Sequence, residues 1–156
     1  LEAAAYPYFT TKDEIVADEL IPLYPFINES EVLRSYIKNN TGYAEKFKLF
    51  SDYCNPRIIG ELNGQHVKAV KLKGEFVWHS HEHEDELFLV IKGKFNMELR
   101  DKTLTINEGE FFIVPKKVEH KPVADEEVHI LLFEPATTIN TGDVYNELTK
   151  IELEKI

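Results

Sequence analysis

A single cysteine, Cys54, in 156 residues excludes an internal disulfide framework. It fits a reducing compartment, so the expected location is the cytoplasm and the expected role of Cys54 is structural. No run of 18 or so apolar residues occurs, which excludes a membrane-spanning helix. Positive charge is scarce: 18 Lys and Arg stand against 28 Asp and Glu, a formal charge of −10. Phosphate neutralisation needs clustered Lys and Arg, so nucleic acid is not an expected partner, and neither is a membrane. Lys116, Lys117 and Lys121 are a local exception, read as solvated loop charges rather than as an anion-binding patch. The amino terminus lacks the basic and apolar regions of a signal peptide, and from the Leu-Glu-Ala-Ala-Ala start no targeting conclusion follows. Internal repeats and low-complexity tracts are also missing.

The length suits one domain with appendages. Residues 1–50 read as a helical extension. Thr11-Lys12-Asp13-Glu14 has the capping-box form ahead of Ile15, Val16 and Leu20, and a helix there ends before Pro22. A second helix is expected from about Glu29 to Lys38, capped by Asn28 or Ser30 and ended by Asn39-Asn40-Thr41-Gly42. The aromatics between them, such as Tyr6, Phe9 and Tyr24, read as packing anchors.

From about Pro56 the apolar period changes to two. Arg57–Leu62 and His66–Leu72 flank Asn63-Gly64, a strong hairpin signal. Further strands are expected at about Glu75–His81, Glu86–Ile91, Lys94–Leu99, Thr103–Ile106, Glu110–Val114, His120–Val123 and Glu127–Glu134, with turn chemistry between them. Many short strands at this spacing predict an all-β jelly-roll barrel over residues 51–136. The remainder, 137–156, is a tail in which Asp143 caps a short helix carrying Val144, Leu148 and Ile151.

Chemistry shows through at one place, Trp78-His79-Ser80-His81-Glu82-His83, followed by Glu86 and later His120. On a strand the three alternate histidines share a face. At roughly 3.3 Å per residue, neighbours in the row stand roughly 7 Å apart and the outer pair roughly 13 Å, so a straight strand gives one ion two of them. Other ligands must come from elsewhere, with Glu86 and His120 the candidates. His66 and His129 read as packing or surface residues.

The spacing of these residues resembles that of the cupins, small β-barrels that hold a metal in the mouth of a jelly roll. The first cupin motif is met by Gly74, His79-Ser80-His81, four residues to Glu86 and six to Gly93, with the interval after Gly74 one residue short. The second is met by Gly109, five residues to Pro115, and His120, with Lys117 in place of a glycine and Ala124 in place of an asparagine. The resemblance covers about residues 57–134, and Gly74–His81 with Asp85–Phe88 is most similar to single-domain cupins of the mannose-6-phosphate isomerase-like type. It implies a cupin double-stranded β-helix with short helical N- and C-terminal extensions. It also implies His79, His81, Glu86 and His120 as ligands of one divalent transition metal per chain, with His83 spare. Imidazole and carboxylate suit Fe, Mn, Ni, Zn or Cu, whereas Ca and Mg want more oxygen.

With His79 and His81 turned inward, strand parity places Val77 inside and Trp78 and Ser80 outside. Glu86, Phe88, Val90, Phe95, Met97 and Leu99 then face in, while Phe111/Ile113 and Phe112/Val114 compete. The pocket is therefore apolar around one metal, a poor match to the many hydroxyls of a sugar. Two functions follow as expectations: a metal-dependent enzyme of dioxygenase or isomerase class acting on a small oxygen-rich metabolite, or a non-catalytic binding or sensing module. No general base is identified; Glu86, or Glu134 if it turns inward, are the candidates. Apolar helices in the N-terminal third need a surface to cover, and a homodimer is the expected assembly.

Overall fold

A computed structural model describes residues 42–156. The two helices expected before residue 39 lie outside these residues. A single helical turn, Tyr43–Lys46, precedes seven strands: β1 (Arg57–Leu62), β2 (Gln65–Glu75), β3 (Glu86–Lys92), β4 (Lys94–Leu99), β5 (Thr103–Asn107), β6 (Phe111–Val114) and β7 (His120–Pro135). Asn63 and Gly64 join β1 to β2 with φ of 51° and 77°, the two consecutive left-handed residues that a type I′ hairpin turn requires.

All pairings between these seven strands are antiparallel. The sheet runs β1-β2-β7-β3-β6, and β4 pairs with both β5 and β7. β7 is the spine: His120–Val123 pair with β4, and the stretch from His129 to Phe133 lies between β2 and β3. Alternation puts one face of each strand inside. Val70, Phe88, Phe95, Ile106, Val114 and Ile130, one from each of β2 to β7, belong to a single buried cluster, so the sheet curls round and closes on its own apolar face. This is the expected all-β barrel. Parity resolves at β6 in favour of Phe112 and Val114, while Phe111 and Ile113 are exposed. The outer face of β2, β3 and β7 carries a second cluster, where Phe47 and Phe50 cover Ala69 and Leu131 and Phe47 stacks on His129 at 4.4 Å.

Three elements differ from expectation. The segment 76–85 is not a strand: β2 shifts register between Leu72 and Gly74, the latter at φ 85°, and ends at Glu75, after which only His79 makes a bridge, to His120. The two strands expected at 120–123 and 127–134 are one, because β7 runs through Asp125-Glu126-Glu127 with those three side chains exposed to water. The tail forms turns and bends instead of a helix capped by Asp143. There Asn140, Asn146 and Thr149 offer side-chain partners to the backbone, which compete with helical hydrogen bonds.

Candidate metal centre

His79, His81, Glu86 and His120 meet inside the barrel. Each offers one ligand atom, these atoms all lie within 4.8 Å of one another, and all four residues are buried. Their placement follows from local structure. Glu86 opens β3 on the inner face in phase with Phe88 and Val90, and His120 opens β7 in phase with Pro122 and Ala124. His79 and His120 exchange backbone hydrogen bonds (His79 N to His120 O, 3.1 Å; His120 N to His79 O, 2.9 Å), which brings their rings to 4.1 Å. His81 is held by the Lys117 N–H, which donates to its carbonyl at 2.7 Å. Lys117 adopts φ 67°, the left-handed conformation natural to the glycine it replaces.

The donor chemistry fits a divalent transition metal. Nδ1 of His79 lies 3.0 Å from the Val77 carbonyl and Nδ1 of His120 lies 3.0 Å from that of Val118. An Nδ1–H donating to each carbonyl leaves the Nε2 lone pair free to ligate. Glu86 Oε2 is 3.3 Å from Nε2 of both His81 and His120, at angles unsuited to hydrogen bonding. All three atoms are buried without a hydrogen-bond partner among the described residues. Buried polar atoms rarely go unpaired, and an ion about 2.0–2.2 Å from each donor would pair them at mutual distances of roughly 3–4 Å.

Electrostatics agree. Burial, helped by the neighbouring His120 ring, brings His79 down to about 4, so it is neutral near pH 7. Burial would raise the Glu86 carboxyl, yet the His120 and His81 imidazoles hold it down at about 2. For His81 burial is outweighed by Glu86, which shifts its titration upward. A proton held by His81 against Glu86 therefore competes with a metal for the same nitrogen.

His83 is exposed and takes no part in the cluster. His66 and His129 are likewise apart from it. Trp78 faces outward as expected, with the Arg100 guanidinium 3.9 Å above its ring. Lys117 is an exposed loop charge paired with Glu82, whereas Lys121 lies in β7, not in a loop, and is 15% exposed between Glu75 and Glu98; neither is free to form an anion site. The inward residue before His79 is Phe76, not Val77, a consequence of the irregular backbone there. Phe76, His79 and Glu86 border a cavity of about 40 Å³ whose remaining wall is apolar except for Cys54 and Asn140.

Glu134 does turn inward, at 1% exposure, and beside it stands Lys68, at 0%. Lys68 Nζ is 2.7 Å from Glu134 Oε1, a buried ion pair. Glu134 lies one step beyond the ladder pair Leu87–Phe133, which sets it across from Glu86. Burial and then the Glu86 charge push its carboxyl up to about 7, against the pull of Lys68. A signal for Lys68 existed in the sequence, since it is in phase with Val70 and Leu72 on β2.

Residues 67–134 match the family model described as Cupin domain. The chain is similar to the crystal structure of a cupin-2 domain containing protein from Shewanella frigidimarina, at 42% identity and TM-score 0.62, covering 64% of this chain and 98% of that one. It is also similar to protein NMB1881 from Neisseria meningitidis, at 28% identity and TM-score 0.57, covering 61% and 97%. An uncharacterized protein YdbB from Bacillus subtilis is 33% identical over 64 residues, 40% of this chain and 57% of that protein. The match thus spans little over half the length of that relative.

Proposed function

The chain belongs to the cupin superfamily, and from that premise we propose a metal-dependent enzyme acting on a small metabolite that presents two oxygens. One observation carries the reading: four buried donors converge within 4.8 Å, three of their atoms lacking any hydrogen-bond partner among the described residues. His79, His81, Glu86 and His120 hold the ion, which when bound supplies a Lewis acid for the oxygens of the metabolite.

The rest falls to the chain's own groups. Val77 and Val118 carbonyls orient the two imidazoles, and Phe76, Phe88, Ile130 and Leu132 give the cavity its apolar wall. Glu134 is the proton acceptor we favour: a buried carboxylate opposite Glu86, paired through Oε1 with Lys68. Two carboxyls stand on one inner face, Glu86 among the ligands and Glu134 beside Lys68, and suit a ligand and an acid–base group respectively. A buried carboxylate beside the ligands favours isomerisation by proton transfer over dioxygenation. An apolar cavity of about 40 Å³ suits a compound of few atoms better than a hexose phosphate, so the mannose-6-phosphate isomerase-like label is read as similarity of sequence. We read the protein further as a cytoplasmic homodimer. Support comes from the unpaired buried Cys54 and from Phe111 and Ile113, exposed on the edge strand β6.

The test is metal analysis of protein purified without chelator, followed by a screen of α-hydroxy ketones, diols, diketones and sugars with Fe(II), Mn(II) or Zn(II), in air and without oxygen. Stoichiometric metal and oxygen-independent turnover of a small hydroxy ketone is the expected result. Tight metal without turnover would leave a binding module, and oxygen consumption a dioxygenase.

A further inference from the structure

The family match ends at Glu134, and all four candidate ligands precede that point. Residues 136–150 nevertheless lie against the centre. Gly142 adopts φ 52°, and a methyl group on it would overlap the Ser80 carbonyl oxygen, stand 2.8 Å from Ser80 C and 3.4 Å from Nδ1 of His81. No side chain fits between this residue and the backbone that carries His81.

The segment that places Gly142 is itself tied down. Thr141 is fully buried, and its hydroxyl meets that of Thr149 at 2.8 Å. The Asn140 amide donates to the Leu148 carbonyl at 2.9 Å, and its oxygen accepts from Lys150 N at 2.8 Å. With both polar ends so engaged, Asn140 still forms part of the cavity wall. Leu148 packs on the barrel core, and Lys68 Nζ reaches the Thr138 carbonyl at 3.4 Å.

We propose that residues 136–150 are a strap belonging to the metal centre, with Gly142 a positioning residue that sets the Ser80–His81 backbone and thereby the aim of His81 Nε2. The inference rests on the metal-centre reading above. A close-packed contact transmits displacement, so a side chain at Gly142 shifts a ligand without removing one.

The test titrates Co(II) into the full chain, read by ligand-field absorption for coordination and far-UV circular dichroism for folding. Gly64→Ala and Gly109→Ala are the controls: both positions have left-handed φ (77° and 81°) but nothing within 4 Å of an added methyl, so they carry the backbone strain without the contact. Wild type and controls are expected to bind one Co(II) with one spectrum. Gly142→Ala is expected to bind roughly 10- to 100-fold more weakly with displaced bands and unchanged dichroism. Asn140→Ala, which releases the strap from Leu148 and Lys150, should move affinity the same way by less. Wild-type affinity and spectrum in Gly142→Ala, or equal losses in the two controls, would overturn the proposal. If Gly142→Ala does not fold, Asn140→Ala decides, and unaltered Co(II) binding there overturns it. A wild-type chain that takes up no Co(II) sinks the metal-centre reading itself, and the positioning role with it.

Discussion

Glu86 and Asn140 border the same small cavity, one from a strand and one from the strap, and they do opposite things there. Glu86 belongs to a ladder, its backbone paired with Val114 of β6, and its carboxylate is free to meet two imidazoles. Asn140 lies where no ladder exists, and its amide is spent on Leu148 and Lys150. Regular structure satisfies its own polar groups and leaves side chains for chemistry, whereas irregular structure uses side chains to hold itself together. The barrel therefore supplies donors, and the strap supplies position.

The sharpest way to break this division is to remove a donor. Glu86→Gln or His81→Ala should reduce bound metal from one equivalent to near none by elemental analysis, while His83→Ala leaves it intact. Equal loss in His83→Ala would show that the exposed histidine is a ligand after all.

Next in size is the ion pair that faces both regions, since Lys68 touches Glu134 in the barrel and Thr138 in the strap. Lys68→Met leaves a buried carboxylate without its partner and should destabilise metal-free protein by about 3–5 kcal/mol at pH 8, measured by urea unfolding. The cost should shrink at pH 6, where Glu134 takes up a proton. A pH-independent loss would mean that Glu134 is not the responding group.

Glu134 itself links stability to pH with a definite sign. Its folded value of about 7 stands above the ordinary 4.5, so the folded state binds the extra proton between those limits. Stability from this group is complete below about 4.5 and is lost as pH rises through about 7. The stability of metal-free wild type relative to Glu134→Gln should accordingly fall across that window, by on the order of 3 kcal/mol. A flat difference would place the buried proton elsewhere.

The smallest expected effect is at Lys117, in the loop that fastens His81. Lys117→Gly relieves the φ of 67° but gains unfolded-state freedom, so a stabilisation of about 1 kcal/mol or less is expected, with metal uptake unchanged. Weakened uptake would mean that the lysine side chain itself steers the site.

Much of the barrel side of the comparison was legible in sequence. Alternation identified Glu86, Phe88, Val90, Phe95 and Met97 as inward, and Asn63-Gly64 named its own turn. His79, His81, Glu86 and His120 came from the resemblance, since strand rise alone limited the histidine row to two members. The structure brings those four together and leaves His83 out. The strap side was not legible. Its fold depends on long-range side-chain partners such as Asn140 with Lys150, which no local period encodes, so the helical pattern of Val144, Leu148 and Ile151 misled. Phe76 was missed for a related reason: β2 slips register between Leu72 and Gly74 and ends at Glu75, so parity is not carried on to the histidines. Lys68 was within reach, in phase with Val70, but a lysine on an apolar face reads as a surface residue until its partner Glu134 is seen.

The measurement that bears most directly on the account is element-specific anomalous scattering from crystals of protein purified without chelator. One transition-metal ion per chain is expected, about 2.0–2.2 Å from Nε2 of His79, His81 and His120 and from a Glu86 oxygen. An ion bound through His83, or strong diffraction with no anomalous signal at this cluster, would contradict it.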